Sequence, residues 1–242
     1  MILKLFNPVL NQRFKIIVSE NKTNIDGLLF EPQIKTVYMS NLSDDDFDET
    51  SSEVNKIDNI DNNDEYAPFL SCTFPHEVSP QNYELVKQIS KNYMTHGVIE
   101  IGVHRNGYGS FTHALLSNKP DGIPYLGIDI DDKSFLNDKV KNIFTIQENS
   151  FNQDKVREYI SEVGIDKVSI LFIDGDHSVN ACINDWKYTD LLSENGIVIL
   201  HDTNYHPGSF TILSSIDSSK YKIEKFFENQ HDYGVAVAYK LK

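Results

Sequence analysis

Two apolar runs place the tightest constraint on how this chain folds. They are residues 168–173 (VSILFI) and 196–200 (GIVIL), and each passes directly into acidic and histidine residues, at 174–177 (DGDH) and 201–203 (HDT). Continuous runs of this kind are typical of strands buried on both faces of a parallel sheet. Ligands bind at the carboxyl ends of such strands. The sequence therefore predicts a cluster of acids and histidines at the ligand-binding edge of a sheet.

A third apolar run, residues 98–102 (VIEIG), contains an acid, ends in a glycine and enters a glycine-containing loop. Glycine lets the backbone approach a ligand closely, and the amides at the start of the following helix offer hydrogen-bond donors. The dinucleotide fingerprint reads G-x-G-x-x-G, whereas the glycines here are Gly102, Gly107 and Gly109. The loop therefore predicts a binding site for a nucleotide-type ligand that lacks the loop used to bind a diphosphate.

From residue 80 onward the chain alternates strand patterns with helix patterns. Strands are predicted at 98–102, 125–130, 143–147, 168–173 and 196–200, and helices near 80–94, 110–117, 152–162 and 179–192. Ser79 followed by Pro80 is the pattern of a helix start. The alternation predicts an α/β fold, a three-layer sandwich in which a mostly parallel sheet carries helices on both faces. Two further strand-like runs, 221–227 and 233–241, end the chain.

Charge divides the chain into three predicted parts. The formal net charge is -14, and residues 43–66 hold ten acids and one lysine. That composition predicts a flexible linker, with cation or partner binding as the alternative. Residues 1–42 are predicted to form a small β-rich arm or cap, which can join two copies of the chain, and residues 67–242 the main domain. The strand-like pieces of the arm are 14–18, 27–30 and 34–39.

Charge, cysteine content and hydropathy set expectations for partners and compartment. The negative charge argues against a nucleic-acid partner, because phosphate contacts need clustered Lys and Arg. Cys72 and Cys182 stand outside any metal-binding or disulfide spacing, which predicts a reducing cytoplasm. No apolar run approaches the ~20 residues that a membrane span needs, and residues 1–6 are too short for a secretory signal. We therefore expect a cytoplasmic protein without a membrane or nucleic-acid partner.

Four phrases together resemble a known family. They are VIEIG (98–102), LGIDID (126–131), FIDGDH (172–177) and NGIVILHDT (195–203). In this order they resemble class I S-adenosylmethionine-dependent methyltransferases, and they are most similar to the small-molecule and sugar O-methyltransferases that include macrolide and aminocoumarin tailoring enzymes. The resemblance covers the chain from about residue 80 to its end. It implies a Rossmann-like fold with a C-terminal antiparallel hairpin strand, S-adenosylmethionine as cofactor, and a hydroxyl of a sugar or other small polar molecule as methyl acceptor.

The resemblance also implies positions for the cofactor. Glu100 is expected to hold loop amides and water near the cofactor's amino group, and Gly102 to leave room for the cofactor. Asp129 ends the second strand and is expected to accept the ribose hydroxyls, as acids do in nucleotide-binding folds. Asp131 and Asp132 follow immediately and stay open as alternatives for this role.

Asn149 and Ser150 follow the third strand, where the family contacts the adenine ring. The chain departs from the family here, because Glu148 and Asn149 stand where Gly-Asp is frequent. The adenine amino group is therefore expected to meet either the Asn149 side chain or the backbone.

Asp174 and Asp202 end neighbouring strands, so their carboxylates can converge on one cation. Hard oxygen ligands suit Mg²⁺ or Mn²⁺, and the metal-dependent members of the family place acids at these strand ends. His201 and Thr203 flank Asp202, where the family commonly has a second acid or an amide. That departure leaves open an alternative in which the two aspartates only order turns.

His177 is the candidate general base. An imidazole titrates near physiological pH and can take a proton from a hydroxyl as the methyl group arrives. The three-residue offset of His177 from Asp174 matches the base position of the sugar-methylating relatives that the chain resembles. A helix-start histidine without a chemical role is the alternative. Tyr205 and His206 are expected to shape the acceptor pocket.

Two other functions stay open on the sequence alone. A nucleotide-dependent oxidoreductase or hydroxylase-like enzyme on the same fold would bind NAD at this edge, although the glycine spacing argues against it. A non-catalytic S-adenosylmethionine-binding module would use the N-terminal arm and the acidic linker as interaction segments. The acceptor itself is not identified, because acceptor loops are the least transferable part of a fold.

Overall fold

The computed structural model describes residues 2–7, 12–22, 26–28, 30–40, 78–104, 110–226 and 232–242, and the strands among the first forty residues are described by their backbone. The predicted acidic linker at 43–66 and the glycine loop at 105–109 lie outside the described residues, and so do residues 227–231 between the two strand-like runs at the end of the chain. Cys72 also lies outside them, and Cys182 is a buried free thiol.

A small antiparallel sheet forms near the start of the chain. Its strands are β1 (Ile2–Asn7), β2 (Gln12–Lys22) and β3 (Phe30–Ser40), in the order β1-β2-β3. The predicted strands at 14–18 and 34–39 lie inside β2 and β3. The predicted strand at 27–30 is wrong for its first two residues, because Gly27 has φ 80° in a turn and Leu28 makes only an isolated bridge to Ile216, whereas Phe30 begins β3.

The main sheet has seven strands in the order β6-β5-β4-β7-β8-β10-β9. The strands are β4 (Gly97–Ile101), β5 (Tyr125–Asp129), β6 (Ile143–Gln147), β7 (Val168–Ile173), β8 (Leu192–His201), β9 (Tyr221–Phe226) and β10 (Val235–Lys240). Strands β4 to β8 pair in parallel, whereas β10 is antiparallel to both β8 and β9. This confirms the mostly parallel sheet with a C-terminal antiparallel hairpin.

Five α-helices accompany the sheet in the described residues. They are α1 (Pro80–Tyr93), α2 (Phe111–Leu116), α3 (Gln153–Glu162), α4 (Val179–Trp186) and α5 (Pro207–Ser215). Ser79 caps α1 as predicted, because its hydroxyl accepts the Asn82 N–H. The predicted helix at 179–192 ends early and continues as a 3-10 turn at Lys187–Leu191. Helix α5 was not predicted, because it is buried over most of its circumference and lacks a helical apolar period.

Two apolar cores lie on opposite faces of the sheet. Along β7, Ile170 and Phe172 pack with α1 and α2, whereas Leu171 and Ile173 pack with α3, α4 and α5. Successive side chains of a strand point to opposite faces, so a strand covered by helices on both sides must be apolar throughout. The predicted three-layer sandwich is confirmed. In the described part of the chain, no helix has the length and hydropathy to cross a membrane.

Residues 26–28 pack against the main domain. The indole N–H of Trp186 donates to the Asp26 carbonyl at 2.9 Å, and the indole ring lies edge-on to Tyr221 with centroids 5.5 Å apart. The Asp217 N–H donates to the Gly27 carbonyl, also at 2.9 Å. Leu28 joins the core on the α4–α5 face. A short segment of the N-terminal region is thus part of the packed structure.

Candidate active site

The site lies at the carboxyl ends of four adjacent strands, β5, β4, β7 and β8. The chain runs from β4 outward to β5 and β6 and then returns to the other side of β4 as β7. Strand order therefore reverses between β4 and β7. Ligands of open α/β sheets bind in the crevice at such a reversal.

Gly102 lies where β4 meets the loop that follows β7. Its φ is 86°, and a Cβ atom here would stand 2.1 Å from the Asp174 carbonyl oxygen. The Asp174 N–H donates to the Ile101 carbonyl at 2.8 Å and holds the two strand ends together. Because a side chain would overlap this backbone, packing of the two strand ends is sufficient to require glycine. The sequence alone did not reveal this reason.

Glu100 is buried in β4, with 1% of its surface exposed. The Thr112 hydroxyl donates to one carboxylate oxygen at 2.7 Å, and the Tyr125 hydroxyl donates to the other. Burial raises the pKa of Glu100 to about 8 and outweighs these two hydrogen bonds. The expected loop amides of 105–109 lie outside the described residues, and no local pattern in the sequence indicates Thr112 or Tyr125 as partners of Glu100.

Asp129 ends β5 beside the start of the glycine loop. One carboxylate oxygen accepts the Val103 N–H and the other accepts the Asp131 N–H, both at 2.8 Å. The ammonium of Lys133 lies 3.8 Å from the first oxygen, and only 4% of that lysine side chain is exposed. Asp131 and Asp132 are exposed. Of the three candidate aspartates, Asp129 is therefore the one whose side chain contacts the β4 loop.

Asn149 and Ser150 follow β6 at the same edge of the sheet. The Asn149 side chain is exposed and accepts the Phe151 N–H at 2.9 Å. The carbonyl of Ser150 accepts hydrogen bonds from the Asn184 amide and the Tyr188 hydroxyl. Ser150 is therefore tied to α4 and the turn that follows it.

Asp174, His201 and Asp202 converge at the ends of β7 and β8. The Nδ1 atom of His201 lies 2.7 Å from Oδ1 of Asp174 and 3.2 Å from Oδ1 of Asp202. Successive side chains in a strand point to opposite faces, but Asp202 has φ 58° and turns the chain back on itself. That left-handed residue brings its carboxylate beside the preceding imidazole. His201 belongs to the cluster of acids and histidines predicted from the sequence, but its contacts with both aspartates become visible only in the structure.

The other oxygen of Asp202 faces two further histidines. Nε2 of His177 lies 2.8 Å from Oδ2 of Asp202, and Nε2 of His206 lies 3.7 Å from the same oxygen. The His177 and His206 rings are stacked, with centroids 4.3 Å apart and planes 15° apart. Histidine nitrogens thus face both carboxylate oxygens of Asp202. The nitrogen of His201 lies at Oδ1, and those of His177 and His206 lie at Oδ2.

Burial and mutual contacts shift the pKa values of Asp202, His177 and His206 in different directions. Burial acts to raise the pKa of Asp202, but the three neighbouring histidines outweigh it and hold that pKa below its usual value. Burial acts to lower the pKa of His177, but the hydrogen bond and charge of Asp202 outweigh it, so that pKa is raised. Burial and the charge of His177 lower the pKa of His206 to about 4. His206 is therefore a neutral imidazole at neutral pH.

The donor atoms are close enough to bind a cation. Those of Asp174, His201 and Asp202 all lie within 4.8 Å of one another, and so do those of His177, Asp202 and His206. Among the described residues, Oδ1 of Asp202 is buried and accepts no hydrogen bond, although the His201 nitrogen lies 3.2 Å away. A buried acceptor that lacks a donor is costly unless a cation or proton reaches it. The residues present therefore fit a divalent ion.

Aromatic side chains border the histidines. The Tyr205 and Tyr233 rings are stacked with centroids 4.0 Å apart, and Tyr205 lies edge-on to His206 at 4.6 Å. All three side chains are half-buried. The structure thus brings the predicted pair Tyr205 and His206 to the edge that carries Asp202, and adds Tyr233 from the loop before β10.

Comparison with solved structures identifies proteins of similar fold. They include the O-methyltransferase from Bacillus cereus in complex with SAH (TM-score 0.51, 13% identity, 71% of this chain and 86% of that chain). The MycE methyltransferase from the mycinamycin biosynthetic pathway, in complex with Mg and SAH, is also similar (TM-score 0.51, 17% identity, 72% of this chain and 54% of that chain). A third is a methyltransferase from Geobacter sulfurreducens (TM-score 0.50, 15% identity, 68% of this chain and 80% of that chain).

The likeness at these identities shows a shared fold and confirms the predicted Rossmann-like architecture. The chain spans about half the length of the MycE methyltransferase. No protein-family model matches the chain, and the comparison with curated proteins found no match.

Proposed function

We propose that this chain is an S-adenosylmethionine-dependent O-methyltransferase whose acceptor is a hydroxyl of a sugar or another small polar molecule. One observation carries the proposal. The acids Glu100 and Asp129 lie at the carboxyl ends of β4 and β5, while Asp174, His177 and Asp202 lie directly across the strand reversal at the ends of β7 and β8. The residues proposed to bind the cofactor, Glu100 and Asp129, and those proposed to carry out the chemistry therefore line the same crevice. The SAH-bound O-methyltransferases of similar fold support this choice.

Asp129 has the capacity that ribose binding requires. An ionised carboxylate offers about four lone-pair positions, and the backbone amides of Val103 and Asp131 use one on each oxygen. The Lys133 ammonium is 3.8 Å from one of these oxygens, beyond hydrogen-bond distance, so we infer that one position per oxygen serves the two ribose hydroxyls. Asn149 and Ser150 lie farther along the same edge, where we place the adenine ring.

The pair formed by His177 and Asp202 is proposed to accept the proton of the acceptor hydroxyl. Because Nε2 of His177 lies 2.8 Å from a carboxylate oxygen, the neutral imidazole keeps its proton on Nε2 and its lone pair on Nδ1. We assign Nδ1 as the general base. The cofactor supplies an electrophilic methyl group on a sulfonium sulfur. As the acceptor oxygen bonds to that methyl carbon, the carbon–sulfur bond breaks towards sulfur, and the hydroxyl proton passes to His177.

Asp174 and Asp202 are the residues that would hold Mg²⁺ or Mn²⁺. An ion bound there supplies positive charge that lowers the pKa of a coordinated hydroxyl. The Mg-bound MycE structure of similar fold supports this part of the proposal. The remaining contribution of the chain is alignment of the two reactants, which is worth several kcal/mol of the barrier.

We also propose that residues 67–242 form the catalytic domain, that the enzyme acts in the cytoplasm, and that the sheet of β1, β2 and β3 can join two copies of the chain. Within the described residues β1 and β3 each pair with a strand on one side only, which supports the last point because an unpaired strand edge is a template for pairing with another chain. Light scattering of the full chain and of a chain lacking residues 1–25 measures it directly.

Thermal unfolding of the full chain with candidate cofactors tests the proposed function. Saturating S-adenosylmethionine or SAH is expected to stabilise the protein by about 2–4 kcal/mol, and NAD to leave it unchanged. A shift with NAD alone would instead support an oxidoreductase. Binding of S-adenosylmethionine without methyl transfer to any of a panel of hydroxylated acceptors would support a non-catalytic module.

A further inference from the structure

The Oδ2 side of Asp202 carries a second donor set that the proposed mechanism does not use as a metal site. We propose that His177, Asp202 and His206 bind a divalent transition-metal ion of the zinc and cobalt class. This site is distinct from the oxygen-rich pair formed by Asp174 and Asp202, because it uses the opposite oxygen of Asp202 and two imidazole nitrogens.

The chemistry of the donors selects the ion. Two imidazoles and one carboxylate are ligands for zinc, cobalt or ferrous iron, whereas Mg²⁺ prefers oxygen atoms and keeps several waters. Bonds of about 2.0–2.1 Å to a tetrahedral ion place donor atoms about 3.3 Å apart. The two nitrogen-to-oxygen distances here, 2.8 Å and 3.7 Å, lie on either side of that separation. Three protein ligands leave one position for water.

The backbone holds the two histidines in fixed relation. His206 stands at the N-cap position of α5, and His177 directly precedes Ser178, whose side chain caps α4. The Gly208 N–H donates to the His177 carbonyl at 3.0 Å, and a Cβ on Gly208 would stand only 2.4 Å from that oxygen. The starts of the two helices are therefore packed directly against each other. The geometry is built by the fold rather than by chance proximity of exposed side chains.

An ion can reach the site from solvent. The side chains of His177 and His206 are 24% and 32% exposed, whereas Asp202 is buried at 5%. The rings are now parallel, so one of them must turn about its Cβ–Cγ bond before both lone pairs point at one ion. Because both side chains are partly exposed, we expect room for that rotation.

Occupancy of this site changes the state of His177, and this consequence rests on the proposed function. A metal at Nε2 takes the lone pair on that nitrogen, so the ring proton moves to Nδ1 and the general base is lost. The transition-metal ion and methyl transfer therefore exclude each other. The binding step itself does not depend on the methyltransferase assignment.

Titration of the full chain with Co²⁺, followed by ligand-field absorption in the visible, tests the proposal. We expect one saturable site per chain with a low-coordinate band, and displacement of Co²⁺ by Zn²⁺. His206→Gln and His177→Gln are each expected to weaken Co²⁺ binding by at least about 10–100-fold. His96→Gln is the matched control, because His96 is exposed and remote in the fold from Asp202. Asp174→Asn is expected to keep the Co²⁺ band.

Two results would overturn the proposal. One is the absence of saturable Co²⁺ binding in the wild-type chain. The other is a band that survives His206→Gln but disappears in Asp174→Asn, which would place the ion in the opposite donor set. Failure of the proposed function is separate, because it appears as a missing thermal shift with S-adenosylmethionine while the Co²⁺ titration is unaffected.

Discussion

The Nε2 atom of His177 lies 2.8 Å from Oδ2 of Asp202, a residue that ends β8 with φ 58°. A left-handed backbone is uncommon for a residue other than glycine and is found where the surroundings enforce it, often at functional sites. Here it turns a buried carboxylate towards an imidazole on the neighbouring strand's loop. The resulting pair fixes the tautomer and orientation of His177, which is what a general base requires.

Replacing His177 by Ala is expected to lower methyl transfer by roughly 10²–10⁴-fold, the usual scale for loss of a general base. Binding of SAH, measured by calorimetry, is expected to change little, because His177 lies across the crevice from Glu100 and Asp129. His96→Ala serves as the control histidine. Near-normal turnover in His177→Ala would assign the base to Asp176 or His206 instead.

Replacing Asp129 by Ala is expected to abolish the thermal shift with SAH, because the acceptor for both ribose hydroxyls is removed. Asp131→Ala is the matched control, since Asp131 is exposed and two residues away. Its shift is expected to equal that of the wild type. The reverse pattern would show that Asp131 binds the ribose. Gly102→Val is a poor test, because a side chain there overlaps the Asp174 backbone.

Glu100 is expected to make stability depend on pH. Burial raises the pKa of Glu100 to about 8 from the ordinary glutamate value of 4.5, so between these values the folded chain binds a proton that the unfolded chain releases. The contribution is full below about pH 4.5 and is lost as pH rises through 8, at up to about 1.4 kcal/mol per pH unit.

The Glu100→Gln variant isolates this contribution, because glutamine keeps the shape and the acceptor for Thr112 or Tyr125 but does not titrate. Urea unfolding at intervals from pH 5 to 9 is expected to show a shallower loss of stability in the variant than in the wild type. Identical slopes for the two proteins would contradict a protonated Glu100.

Chelation is expected to remove methyl transfer while leaving SAH binding unchanged, and Mg²⁺ or Mn²⁺ to restore it. Asp174→Asn removes one of the two carboxylates that would hold the ion, and hard cations such as Mg²⁺ prefer charged oxygen ligands, so this variant is expected to behave like the chelated enzyme. Full activity in the presence of chelator would reject the hard-ion site and leave His177 and Asp202 acting without a metal.

Leu28→Ala is expected to lower the free energy of unfolding by about 2–5 kcal/mol, the cost of removing a buried leucine side chain. Leu28 is 6% exposed and packs in the core formed with α4 and α5. Val140→Ala is the control, because Val140 is 86% exposed and is expected to change stability by less than about 0.5 kcal/mol.

A pair of truncations extends this test. Removing residues 1–66 is expected to lower the melting temperature more than removing residues 1–25, because only the longer deletion takes away the contacts of Asp26, Gly27 and Leu28 with Trp186 and Ile216. Equal melting temperatures would support the simpler expectation that the main domain folds without the first 66 residues.

Much of the sheet was predictable because its signals are local. Strands such as β7 are apolar throughout, since each is covered on both faces, and the residues after them are polar because they leave the core. The start of α1 was also predictable, because Ser79 and Pro80 are a local signal for the start of a helix. Helix α5 was missed because its burial leaves no amphipathic period. The strand predicted at 27–30 fails at Gly27 and Leu28, because the chain turns there.

The sequence by itself determined the order of the elements and which acids and histidines reach the ligand edge, because strand ends follow from apolar runs. Only the tertiary structure decided how those side chains meet. Glu100 meets Tyr125 from the next strand, His201 meets Asp174 across 27 positions, and both depend on packing between elements. Convergence of His201 with Asp202 needs a left-handed backbone at Asp202. Such contacts leave no periodic trace in the chain, so only the folded arrangement reveals them.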